Sequence, residues 1–378
     1  MYICSKYIFF SFKIKSMANI NLENIWSNNV FVYGGINCKI MDFFEDVCSH
    51  LHIKKDIMKA MHPMHIKFLE NMFAETGHTF NIDEYIKINL INKPLKPLMT
   101  DSVIFAIGSC GLTSNSVTKY IKLLKEYNKI LAYNNTYVIF IRGENDNPLL
   151  FDNETINLSN IKAVADYTVV KIRNKNILCI GGATTIERAW KLKHMEYVNR
   201  LNPNRKFDMF CGDTSPKLDN DKLNKAINDC NNSIDYVFTC TAPSFCQSSE
   251  LINIEDWEES DEKIRSDLKK DKLIMTSIFS SIISTCNTPE IWVYNGGELN
   301  TYERRSDMIF MALPNMTQRV NIGKVISLYK ENEKMKKIKR AEKRLSREKN
   351  EDMGFDPINL VTEIPFDNAL PEMVEMEF

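Results

Sequence analysis

The sequence predicts an α/β fold, and three observations carry that prediction. Apolar runs of strand length recur along the chain and end in glycine. Stretches with apolar residues three and four apart separate several of them. Strand, helix and strand in this order build a sheet whose ligands gather at the carboxyl ends of the strands.

The first run, residues 29–33, ends in Gly34 and Gly35. Within residues 41–76, Phe43, Phe44, Val47 and Leu51, and later Ile66, Leu69 and Met72, repeat at helical spacing, which predicts a helical insert over 41–100. Residues 101–107 form the next strand and end in Gly108. An amphipathic helix over 115–128 follows, with Val117, Tyr120, Leu123 and Leu124 on one face and Thr113 or Ser114 as its cap. The strand at 137–141 runs into Arg142 and Gly143. Residues 166–172 and 176–180 then read as a hairpin across Arg173, Asn174 and Lys175. Helices are expected at 187–197 and 221–230, a strand at 234–239, and a charged helix at 256–271 leading into a more apolar 273–284. Strands at 291–294 and 308–311 complete a body spanning 29–321.

The C-terminal part has a different composition. Residues 330–349 carry ten Lys or Arg and four Asp or Glu around a narrow apolar stripe of Val325, Leu328, Met335, Ile338, Ala341 and Leu345. That is a solvated basic helix over 322–350 with one docking seam. Residues 351–378 hold eight Asp or Glu and no Lys or Arg, the composition of an acidic tail that orders on a partner.

The 378 residues are 44% hydrophobic and 26% charged with net charge −1, which excludes a wholly disordered chain and gives no global attraction to nucleic acid or anionic membrane. Ten scattered cysteines with no CxxC pair predict reduced thiols in a cytoplasmic setting rather than disulfides or a zinc ribbon. Lys6, Lys13 and Lys15 break up residues 1–28, read as a leader in which Met17 offers a second start. Abundant Asn, Ile and Lys hint at an AT-rich source, and a viral assembly component fits that hint.

The glycine-bearing strand ends follow an order. Gly34-Gly35-Ile36-Asn37, Gly108-Ser109-Cys110-Gly111, Gly143-Glu144-Asn145-Asp146, Thr239-Cys240-Thr241-Ala242-Pro243 and Gly297-Glu298-Leu299-Asn300 resemble the motifs of the calcineurin-like metallophosphoesterase family. The strand pair with Gly181-Gly182-Ala183-Thr184-Thr185-Ile186-Glu187-Arg188 resembles another of its features. The resemblance covers about residues 29–315 and implies a β-sandwich flanked by helices. It also implies a phosphoesterase mechanism in which two metal ions clamp phosphate and activate a water.

Carried over residue by residue, the ligands are mostly replaced. Gly35 stands for the family's first Asp, Asn37 for its His, and Ser109 for the bridging Asp. Glu144 and Asn145 stand for Asn and His with Asp146 kept, Cys240 stands for the strand His, and Glu298 and Asn300 for the last two His. All six histidines, His50, His52, His62, His65, His78 and His194, precede the two C-terminal motifs. The expectation is therefore a pseudoenzyme with no metal cofactor, acting through protein partners or self-association by the insert, basic helix and tail.

The alternative is an active phosphoesterase with Mg or Mn held by oxygen donors, chiefly Asp146, Glu144 and Glu298. Arg142 is either a phosphate contact or the structural partner of Asp146. A His pair in the insert, a Cys240 or Cys246 nucleophile, and nucleic-acid binding by the basic helix are disfavoured. The setting is cytoplasmic, or a virion if the source is viral.

Overall fold

The computed structural model describes residues 19–26, 29–48, 100–201, 212–247, 254–305, 307–315 and 320–352. Most of the expected insert, with His50, His52, His62, His65 and His78, lies outside the described residues, as do most of the leader and residues 353–378.

Two sheets face each other. The chain starts with β1 (Ile20–Asn21), β2 (Val30–Tyr33) and α1 (Ile40–Val47), then β3 (Val103–Ile107), α2 (Ser114–Tyr133), β4 (Tyr137–Ile141), α3 (Pro148–Asp152) and β5 (Ile161–Val164). It continues through β6 (Thr168–Ile172), β7 (Lys175–Ile180), α4 (Arg188–Leu201), α5 (Asn220–Asp229), β8 (Tyr236–Thr239), α6 (Ile254–Ser260) and α7 (Ile264–Thr285). Strands β9 (Ile291–Gly297), β10 (Thr301–Arg305), β11 (Met308–Pro314) and β12 (Val320–Asn321) lead into α8 (Ile322–Asp352). One sheet has the order β12-β2-β3-β4-β5, and the other β1-β6-β7-β8-β9-β11-β10. Pairing is mostly parallel, with antiparallel contacts at β6/β7, β10/β11 and β12/β2.

The central strands read as unbroken apolar runs because both faces are covered. In β3, Val103, Phe105 and Ile107 point into the layer between the sheets, and Ile104 and Ala106 point outward under helices. The same alternation puts Ile291 and Val293 of β9 in the inner layer and Trp292 and Tyr294 outside. Helices α1 and α2 cover the five-stranded sheet, with Phe44 stacked on Tyr127 at 4.4 Å. Helices α5 and α7 cover the other through Leu223, Ile227, Met275, Ile278 and Ile282. The result is a helix–sheet–sheet–helix stack with three apolar layers.

Differences from the sequence reading have local causes. The expected helix at 256–271 is broken near Asp261, whose carboxylate accepts from Lys263 N at 3.2 Å and pairs with Arg188. An aspartate that satisfies nearby backbone competes with a continuing helix. Strand β10 was not predicted, since Thr-Tyr-Glu-Arg-Arg is an exposed edge with no apolar run. The docking seam of α8 is shorter than expected. Ile322 and Ile326 are buried, but Leu328, Met335 and Ile338 are 60%, 50% and 40% exposed. Beyond the Arg304–Glu333 ion pair at 3.3 Å, the described side chains of this basic helix face water. No helix among the described residues is long and apolar enough to cross a membrane.

Candidate functional site

Parallel strands deliver their carboxyl ends to one rim, and the motif loops meet there. Backbone closure is tight. Ile36 N donates to Gly108 O at 3.3 Å and Cys38 N to Ser109 O at 2.7 Å, clipping the loop after β2 to the loop after β3. At Gly143 an added Cβ would lie 2.1 Å from Ser109 N and 2.5 Å from Gly108 Cα, so only glycine lets these loops touch. Ser109 holds φ +48°, a left-handed conformation uncommon for a residue with a side chain.

Asp146 lies at the centre of this closure. Its Oδ1 accepts from Leu112 N at 2.8 Å, and its Oδ2 from Gly143 N at 2.8 Å and Cys110 N at 3.1 Å. The residue is fully buried, and desolvation outweighs these three amide bonds, pushing its pKa up to about 6. A carboxylate that accepts from three amides fastens the loops together. These bonds give Asp146 a structural role at the closure.

Around it the structure brings together Ser109, Glu144, Asn145 and Cys240. Ser109 Oγ donates to Glu144 Oε1, and the Cys240 thiol lies 3.8 Å from Glu144 Oε2. Asn145 Nδ2 reaches Ser109 Oγ at 3.4 Å and Glu144 Oε1 at 3.5 Å. Burial, and then Glu144 and Asp146, push the Cys240 thiol well above its ordinary range, so it is not a ready thiolate. Burial likewise pushes Cys246 up to about 12.

Sequence reasoning missed Lys191. This lysine of α4 is only 4% exposed. Its Nζ donates to Asn145 Oδ1 and, at 3.0 Å, to Thr185 Oγ1, and lies 3.6 Å from Glu187 Oε2. A pattern inversion marks it: Trp190, Tyr197 and Leu201 of the same helix are exposed while the lysine is inside.

Arg142 pairs with Asp166 rather than with Asp146. Its guanidinium is buried, donating to Asp166 Oδ2 at 2.6 Å, Thr214 O at 2.7 Å and Ser215 O at 3.4 Å. Burial works against that charge, and Asp166 more than offsets it, holding the group above its usual value. Asp166 also accepts from Gly181 N at 2.9 Å, so the pair ties the turn after β7 to β4. A second buried carboxylate, Asp271, accepts from Thr184 N at 2.6 Å and is pushed up to about 6 by burial.

The remaining motif positions are peripheral. Asn37, Glu298 and Asn300 are exposed on their loops. A Cβ at Gly35 would lie 2.4 Å from Asn315 Oδ1 and 2.8 Å from Asn295 Nδ2, so these asparagines fill the space a carboxylate would need. His194, the histidine among the described residues, stacks on Trp190 at 4.8 Å. Among the described residues, no three His, Cys, Asp or Glu side chains are placed to share a metal ion. Asp146, Glu144 and Glu298 are not gathered into one such group, and the residues present do not fit the two-metal centre that the motifs imply.

No family model matches the chain, and no curated protein matches it. A crystal structure aligns over 76% of this chain and 90% of its own at 12% identity, with a TM-score of 0.31. A likeness of that size carries no argument.

Proposed function

We propose that this chain is a pseudoenzyme of the calcineurin-like metallophosphoesterase type, kept as a binding or structural module. The observation that carries the reading is the spending of the strand-end groups on the protein itself. Asp146 holds three amides, Glu144 is met by Ser109 and Cys240, and Lys191 brings its own positive charge to Asn145. The helix–sheet–sheet–helix layering and the ordered strand-end loops support the family assignment. Polar residues that remain well bonded after the ligands have changed still give a rigid body, and function then resides in surfaces placed on it.

The surface favoured for a protein partner, or for a second copy, is the outer part of α8, where Leu328, Met335 and Ile338 stand exposed among lysines and arginines. The described cysteines are free thiols, which suits a reducing setting, cytoplasmic or within a virion.

The test is turnover of p-nitrophenyl mono- and bis-esters by the full chain with Mn²⁺ added. The expected result is no release above the buffer blank. Release that disappears in Asp146→Ala or Glu298→Ala would overturn the proposal.

A further inference from the structure

We infer that the Lys191 ammonium is a built-in cation that holds the strand-end oxygen cluster together, an inference that rests on the pseudoenzyme reading above. Lysine is almost never this buried without partners, because removing an ammonium from water costs several kcal/mol. Here the ammonium has three donors and three oxygen neighbours, Asn145 Oδ1, Thr185 Oγ1 and Glu187 Oε2.

Apolar packing does not explain its position. Helix α4 leaves Trp190 at 47% and Tyr197 at 58% exposure while it buries Lys191. A helix orienting itself by hydrophobic burial would do the reverse.

The lysine also sets the direction of its neighbours' hydrogen bonds. Because Asn145 Oδ1 takes the ammonium proton, Asn145 Nδ2 points at Ser109 Oγ and Glu144 Oε1. The amide thus links the cation on α4 to the carboxylate after β4. Thr185 and Glu187 lie on the turn after β7, so the lysine joins loops carried by both sheets. Without the ammonium, Asn145, Thr185, Glu187 and Glu144 present oxygens of the kind that suits a hard divalent cation.

The experiment is thermal melting of the full chain, with and without Mg²⁺ or Ca²⁺, for wild type, Lys191→Met, Lys191→Ala and Lys191→Met with Glu144→Gln. Wild type should show no divalent-dependent shift. Lys191→Met should lower the midpoint by roughly 5 °C or more, because Asn145 Oδ1 and Thr185 Oγ1 lose the donor that meets them inside the protein. Adding Glu144→Gln should recover part of that loss, and Lys191→Ala, which leaves room for an ion, should be raised by Mg²⁺ or Ca²⁺. If Lys191→Met does not fold, the double variant must still yield folded protein. A Lys191→Met midpoint equal to wild type overturns the inference. So does a Lys191→Ala chain indifferent to both ions, or a double variant that recovers nothing. These failures are distinct from failure of the pseudoenzyme reading, which would appear as ester turnover by the wild-type chain.

Discussion

Replacing Asp146 by Ala separates a loop fastener from a metal ligand. The substitution strands three buried N–H groups, those of Cys110, Leu112 and Gly143. At about 1–3 kcal/mol each, the loss centres on roughly 6 kcal/mol. Against it stands relief of a desolvated charge. A pKa of about 6 instead of 3.8 corresponds to about 3 kcal/mol once the group is ionised. The net expectation at pH 7.5 is a loss of about 3 kcal/mol, read as a shift in the urea midpoint at unchanged slope.

The pH dependence has a definite sign. A carboxyl raised in the folded state contributes stability that is present below its unfolded pKa and lost as pH rises through about 6. The gap between wild type and variant should therefore be wider at pH 5.5 than at pH 7.5. Asp271 titrates in both proteins and cancels from the difference. A ligand carboxylate facing Glu144 is also raised and follows the same pH trend, but its removal relieves like-charge repulsion and stabilises the chain. A variant at least as stable as wild type at pH 7.5, or a gap that widens with pH, would refute the fastener role.

Gly35→Asp restores the carboxylate that the motif calls for, but it drives a Cβ to 2.4 Å from Asn315 Oδ1; thermal melting should show a loss of about 1–3 kcal/mol and no gain of esterase activity. Arg142→Met leaves Asp166 unpaired in a buried setting and should cost about 3–5 kcal/mol in urea unfolding, whereas a phosphate-binding arginine would leave stability unchanged. Wild type itself should gain stability from Asp146 and Asp271 as pH falls from about 7.5 to about 5.5, seen as a higher urea midpoint. Changing Leu328, Met335 and Ile338 together to Ser, or deleting residues 351–378, should leave the body's melting within about 0.5 kcal/mol of wild type while weakening association in light scattering. A large fall in melting temperature on the tail deletion would place that segment against the core.

Strands β3, β4 and β7 were legible because two covered faces force continuous apolar runs, and the sequence shows little else there. Edge strands were not. Strand β10 is polar, and β1 and β12 are two residues each, too short to set a period. The glycine-marked strand ends located the site, but not the bonds within it. Arg142 was matched to Asp146, four residues away, whereas strand pairing delivers Asp166 from 24 residues away. Lys191 reads as a surface lysine on a helix, and its link to Asn145, 46 residues distant, exists only once the two sheets face each other. Propensity and periodicity report on local structure and burial, while a site assembled from loop ends depends on long-range geometry.

A strand-end cluster that satisfies itself holds no catalytic metal. Metal analysis of the full chain, equilibrated with Mn²⁺ and freed of unbound ion, tests it most directly. The expected result is a substoichiometric metal content that Asp146→Ala does not change. Stoichiometric Mn²⁺ in the wild-type chain that Asp146→Ala abolishes would contradict it.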